Sequence, residues 1–281
     1  MPPFILQKIR DEGVGVPYIA RFWLGVFQLR DQALMFTSCG LEVARREFDA
    51  LYEPVLNNLD AARESQKNIA RIVWEHRHKL ACGEIVTVQP RAVELRESID
   101  TTLREQLALF LNSAARATKA MQHLMAAFGI AIGCLLAKDR AFCKGLDDLR
   151  RTGHTVLADY LSRTRSSWSQ RLLHRRNALE HDSWSLPRCE YHVAGTSVTL
   201  VESQVDGQPV TEYGEALLKY VMAFVEELTM YALKCALPPG LSIAEIPPEG
   251  RDPIVPTRFA LTLDGASGSA WHLTYSDEGF H

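Results

Sequence analysis

The run HRRNALEH, residues 174–181, packs two arginines, an asparagine and two histidines into little more than two helical turns. A guanidinium can grip a phosphate with two donors at once. The wider stretch 160–179 carries Arg163, Arg165, Arg171, Arg175 and Arg176 and no acidic residue, in a chain whose formal net charge is -3. Its positive field is therefore local, and it suits a polyanion that docks in one place.

At ~100° per residue, Trp168, Leu172 and Leu179 fall on one stripe, which must be the buried one. His174, Asn177 and His181 share the opposite face. Arg176 sits about 40° from Leu172, toward the core, so it must snorkel or find an acceptor. Its direction is about 140° from that of His181. The two can meet on one ligand if the helix ends or bends between them, if the arginine wraps, or if a second chain completes the site. A plainer reading stands beside this one. Arg176 can pair with Glu180 at i+4, and His181 lies near a helix end marked by Asp182, Ser183 and Pro187, where the macrodipole favours a cation by about 0.3–1 kcal/mol.

The elements that would hold these residues are mostly helical. Residues 17–35 read as a first helix. Residues 40–80 repeat Val43, Phe48, Leu51, Val55, Leu59, Ile69, Ile72 and Val73 at helical intervals, with Pro54 expected to kink or divide them. Residues 91–138 form a second long region through Leu95, Ile99, Leu103 and Leu107, and Gly83 and Pro90 mark the turn of an antiparallel hairpin between the two. The stretch 124–137 is apolar over 14 residues, short of the ~18–20 needed to span a bilayer, so a buried helix is expected there. Its Gly129 and Gly133 offer a G-x-x-x-G contact.

Helices over 140–161 and 163–182 follow, separated near Ser162–Ser166. Residues 189–203 read as a hairpin turning at 194–196, DGQP as a turn, and 211–235 as a last strong helix. Six of the 13 prolines fall between 238 and 256, where a linker leads to an expected hairpin of RFALTLDG and SAWHLTY. The fold class is thus mainly α: a helical bundle with long antiparallel helices, a small β-hairpin after the motif helix and a C-terminal β-hairpin. The division is a helical domain over 1–235 and a Pro-rich extension over 236–281.

The six cysteines make no C-x-x-C pair, and Glu75, His76 and His78 have poor spacing for a metal on one helix face. Neither a metal nor a cofactor is expected. Lys8, Arg10 and Asp11 interrupt the opening segment too early for a secretory signal, so a cytoplasmic place and no membrane partner are expected.

Arg176-Asn177-Ala178-Leu179-Glu180-His181 resembles the R-x4-6-H signature of the HEPN superfamily (higher eukaryotes and prokaryotes nucleotide-binding), in its helical setting as well as its spacing. The resemblance implies a helical bundle that forms a homodimer across the motif, and a metal-independent endoribonuclease, a toxin or defence effector held by a protein antitoxin or regulator. Arg176 and His181 would be the catalytic pair and Asn177 the supporting polar residue. His174, Arg175, Arg171 and Arg165 would bind the RNA substrate. The residue types suit that chemistry: a base takes the 2'-hydroxyl proton, an acid protonates the leaving oxygen, and a cation meets the charge gathering on the phosphoryl group. The alternative is a non-catalytic helical protein that uses the same face to bind nucleotide, RNA or a protein partner.

Overall fold

The computed structural model describes residues 12–35, 41–89, 91–181, 183–263, 271–277 and 280. A π-helical turn, Ile19–Gly25, leads into α1 (Val26–Leu34), which together form the expected first helix. Helix α2 (Leu41–Ala81) runs undivided for 41 residues, so Pro54 does not divide it. Pro54 and Ala50, whose carbonyl loses its usual N–H partner there, are both exposed, and water can serve that oxygen.

Helix α3 (Asp100–Ala127) returns alongside α2 as the expected hairpin. Tyr52, Leu56, Leu59 and Ile69 of α2 and Leu103, Leu107, Phe110, Leu111 and Met121 of α3 are all fully buried in one cluster. Each such side chain contributes about 1.5–3 kcal/mol relative to exposure. The connection between the helices is itself a hairpin, of β1 (Val86–Gln89) and β2 (Ala92–Leu95) in antiparallel register with Val86 opposite Leu95. Leu95 and Ile99 therefore lie ahead of α3 rather than in it. The β-branched Val86, Thr87, Val88 and Val93 prefer the extended chain.

The apolar stretch 124–137 is buried at Leu124, Met125, Ile130, Ile132 and Leu135, yet it is not one helix. Gly129 adopts φ +76°, and the Ile130 and Gly129 N–H groups close back on the carbonyls of Met125 and Ala126. This ends α3 with a left-handed glycine. A short 3₁₀ turn, Gly133–Leu136, follows. Among the described residues nothing approaches a side-chain position at Gly129 or Gly133, so the G-x-x-x-G pair seats no backbone of these residues; a close approach is found at Gly145, where a Cβ would overlap that of Cys134.

Helix α4 (Asp139–Arg151) ends at Gly153, whose φ is +87°, and α5 (Thr155–Thr164) begins directly after it. The break expected near 162–166 is instead a π-helical turn, Arg165–Ser169, that carries the chain into α6 (Gln170–Glu180). Ser166 and Ser167 hydroxyls donate to the Arg163 and Thr164 carbonyls at 3.0 and 3.4 Å, which serves the oxygens of the widened turn. Strands β3 (Glu190–Ala194) and β4 (Ser197–Val201) form the expected hairpin about Gly195. Two-residue strands β5 (Gln204–Val205) and β6 (Gln208–Pro209) flank Asp206 and Gly207, both at positive φ. Helix α7 (Val210–Ala236) is buried nearly all round from Val221 to Leu233 and packs against α1, α2 and α3.

A C-terminal hairpin is present, with a different pairing from the expected one. Strand β7 (Leu241–Glu245), inside the Pro-rich stretch, pairs with β8 (Phe259–Leu263). Of the segment SAWHLTY, the described residues 271–275 form no strand; Trp271 gives a single N–H bond to the Ile243 carbonyl and packs its ring on Phe259. Ser242 and Ile243 are both buried while the ends of the strand are more exposed, and no proline falls within it. No helix among the described residues is long and apolar enough to cross a membrane.

Buried charge joins this tail to the helices. Arg21, on the first π-helical turn, forks onto Glu226, with Nε 2.7 Å from Oε1; Arg258 reaches the same carboxylate at 3.0 Å, Glu227 at 3.5 Å and Glu245 at 2.7 Å. The two guanidiniums hold Glu226 below the usual carboxylate range despite its burial. Burial wins at Glu227, which is pushed up to about 7. A carboxyl raised in the folded state stabilises the fold fully below its unfolded value of 4.5, and that contribution is lost as pH rises through about 7. Chemical denaturation from pH 4 to 8 is therefore expected to show wild type losing about 3 kcal/mol relative to Glu227→Gln across that window. Parallel pH profiles for the two proteins would contradict the assignment.

Candidate functional site

Of the expected stripe, Trp168, just before helix α6, and Leu172 are buried, while Leu179 is half-buried against the core and its neighbour Ala178 is the buried one. His174, Asn177 and His181 are exposed on the other side. His181 caps the helix at φ -103°, ψ 15°, and its N–H still donates to the Asn177 carbonyl at 3.0 Å. The helix thus runs unbroken from Arg176 to its last residue, Glu180, and His181 sits at its cap. His181 and Asn177 come off the same face, one turn apart.

Arg176 has found the acceptor that its position demanded. Its Nε donates to Asn112 Oδ1 of α3 at 3.0 Å, which fixes the side chain in the seam between the two helices. Nη1 then donates to Asn177 Oδ1 at 3.0 Å, and both terminal nitrogens meet the Glu180 carboxylate at 3.0–3.1 Å. The arginine wraps across its own helix toward the face that bears His181, and its side chain remains 33% exposed. Asn177 is the hinge of the arrangement, since it touches Arg176 through its side chain and His181 through its carbonyl. The i+4 pair with Glu180 from the plainer sequence reading is present too.

The other arginines divide. Arg175 turns away from Arg176, donating Nε to Asp206 Oδ1 at 2.9 Å, and its guanidinium covers the Trp184 ring at 4.8 Å. Arg171 donates to the Ser167 carbonyl and lines a cavity at the start of α6. Arg165, expected among the substrate-binding residues, stands apart from them. Its Nη1 donates to the carbonyls of Leu135 and Ala137 at 3.0 and 2.7 Å, its Nη2 meets Asp139 at 2.7 Å, and it lies over Phe142. It ties the chain after α3 to the π-helical turn, and its side chain is 11% exposed.

Three contributors escape a reading of the motif alone: Asn112, Trp184 and Asp206. Asn112 had a signal, as the polar residue within the apolar run LALFLNSAA. Among the described residues no group of three or more His, Cys, Asp or Glu side chains is placed to hold a metal ion. His76, set aside as a metal ligand, is buried with Nε2 3.0 Å from the Tyr191 hydroxyl, and burial lowers its pKa.

The chain is thus a mainly α protein whose arginine and histidine motif lies at the exposed end of a helix braced by α3. No family model, no curated protein and no solved structure matches it.

Proposed function

We propose that the protein is a metal-independent endoribonuclease of HEPN type, with Arg176 and His181 acting on one RNA linkage. The observation that carries this reading is the path of Arg176: anchored at Asn112, it turns back over Asn177 to the face of His181. A planar guanidinium with five donors can exchange the Glu180 carboxylate for phosphoryl oxygens while Nε stays on Asn112.

In the reaction, a base takes the proton of the RNA 2'-hydroxyl and the oxygen attacks phosphorus. The bond to the 5'-oxygen breaks, and that oxygen receives a proton from an acid. The products are a 2',3'-cyclic phosphate and a 5'-hydroxyl. An imidazole can fill either proton-transfer role, and a homodimer would bring a second His181 so that both are filled. Arg176 meets the charge that builds on the phosphoryl oxygens. An antitoxin or regulator rests on the resemblance of the motif alone, and the dimer rests on that resemblance together with the angle of about 140° between Arg176 and His181.

A second reading is favoured by the complete engagement of the guanidinium: Nε, Nη1 and Nη2 of Arg176 all have acceptors within the chain. On that reading the helix end is a structural clasp, and the basic face binds nucleotide, RNA or a protein without cutting. Incubation of the protein with mixed RNA in excess chelator separates the two. Cleavage leaving 2',3'-cyclic phosphate ends is expected; 3'-hydroxyl ends, or intact RNA, would count against the ribonuclease.

A further inference from the structure

At the start of α6 lies a cavity of about 300 Å³ between the π-helical turn, the β5–β6 turn and the first half of α7. Trp168, Tyr213 and Tyr220 supply aromatic walls, and Ser167, Arg171, Asp206, Gln208 and Asp277 supply the polar groups. Its size is at the lower end of small-ligand sites, enough for one flat ring system and too little for a folded partner.

The polar groups have capacity to spare. Arg171 donates to a backbone carbonyl and to no carboxylate among the described residues, although Asp206 and Asp277 line the same cavity. Asp206 accepts from Arg175 on Oδ1 only; Oδ2 has no hydrogen bond among the described residues, nor has the Gln208 amide. Burial pushes the Tyr213 phenol up to about 12, so it stays protonated and can donate. The walls thus present stacking surface, the open oxygen of Asp206, a second carboxylate at Asp277, one amide and the Arg171 guanidinium.

We infer that this cavity is a base subsite, which takes one unstacked nucleobase of an RNA strand, guanine by preference, while Arg171 holds an adjoining phosphate. The ligand class rests on the ribonuclease reading. Single-stranded RNA is recognised by splaying out a base, stacking it on aromatic rings and bonding its Watson–Crick edge. An ionised carboxylate only accepts. Guanine offers it two adjacent N–H donors, whereas uracil sets a single N–H between two carbonyls that repel the charge. From Arg171 to His181 the same helix rises about 15 Å, so base and cleaved linkage would belong to one strand laid along α6. His174, exposed between them, lies on its path.

Titration calorimetry of the intact protein with each of the four 5'-mononucleotides tests this, because a mononucleotide has no linkage to cut. Guanosine monophosphate is expected to bind about ten-fold more tightly than uridine monophosphate. Asp206→Asn keeps a residue that tolerates positive φ and is expected to erase that preference; Arg171→Ala should weaken all four ligands. Tyr213→Phe, which preserves shape, should weaken binding modestly. No binding at millimolar concentration, equal affinity for all four, or a preference that survives Asp206→Asn in a variant with wild-type melting would overturn the inference. Cleavage without mononucleotide binding sinks the subsite alone, and guanosine monophosphate binding without cleavage sinks the ribonuclease alone.

Discussion

Replacing Arg176 or His181 with alanine is expected to lower chelator-resistant RNA cleavage by about 10²–10⁴-fold in each case. Removing the imidazole deletes a proton-transfer group, and removing the guanidinium deletes donors aimed at charge that exists only in the transition state. The double variant should be little worse than either single one, because groups that act as a unit do not add. Arg176→Lys should resemble the alanine variant. A lysine ammonium is a point charge without the fork that spans Asn112, Asn177 and Glu180 together. Both positions are partly or fully exposed, so thermal unfolding of these variants should stay close to wild type, which separates lost chemistry from a lost fold.

Glu226→Met is expected to destabilise the protein by about 3–5 kcal/mol, the largest stability effect of any substitution considered. Glu226 is 1% exposed and accepts from both Arg21 and Arg258. Its removal leaves two guanidiniums around the space that its charge had neutralised. Glu227 and Glu245 remain beside Arg258. Denaturant titration at pH 7 measures the change, and a loss below about 1 kcal/mol would show that the cluster contributes little. The effect should reach the tail as well, since Arg258 immediately precedes β8 and the Phe280 ring lies 3.7 Å from the Arg21 guanidinium carbon.

The helices were legible where period and burial coincide. Of the expected stripe, Phe48, Val55, Leu59, Ile69 and Val73 are buried, Leu51 and Ile72 half-buried and Val43 exposed, and Gly195 turns its hairpin where a left-handed residue was needed. Breaks were harder to place. Serines near 162–166 look like a boundary, yet hydroxyls that bond nearby carbonyls can also support a widened helical turn, and Gly153 is the residue that parts α4 from α5. The run 124–137 is apolar enough for a helix or for buried loop, and hydrophobicity alone does not distinguish them. Strand β7 was hidden because the prolines on either side of it read as linker.

Within the site, the position of Arg176 announced that it needed an acceptor, and the i+4 geometry pointed to Glu180. Asn112 could not be read as its partner, because it lies 64 residues earlier on a helix whose facing side depends on tertiary packing. The cavity beside Arg171 had no signature at all. Its walls come from the π-helical turn, the β5–β6 turn, α7 and Asp277, and only folding sets Trp168, Asp206 and Tyr213 around one space.

The central claim is that one guanidinium and one imidazole serve the same phosphodiester. NMR titration of the protein with a short oligoribonucleotide, made uncleavable by a 2'-deoxy sugar at the scissile position, tests it most directly. The Arg176 Nε–H and His181 ring resonances are expected to shift together along one saturation curve, with Asn177 following. Movement of only one of them, or two curves with different midpoints, would show that the two groups answer to different ligands and would contradict the account.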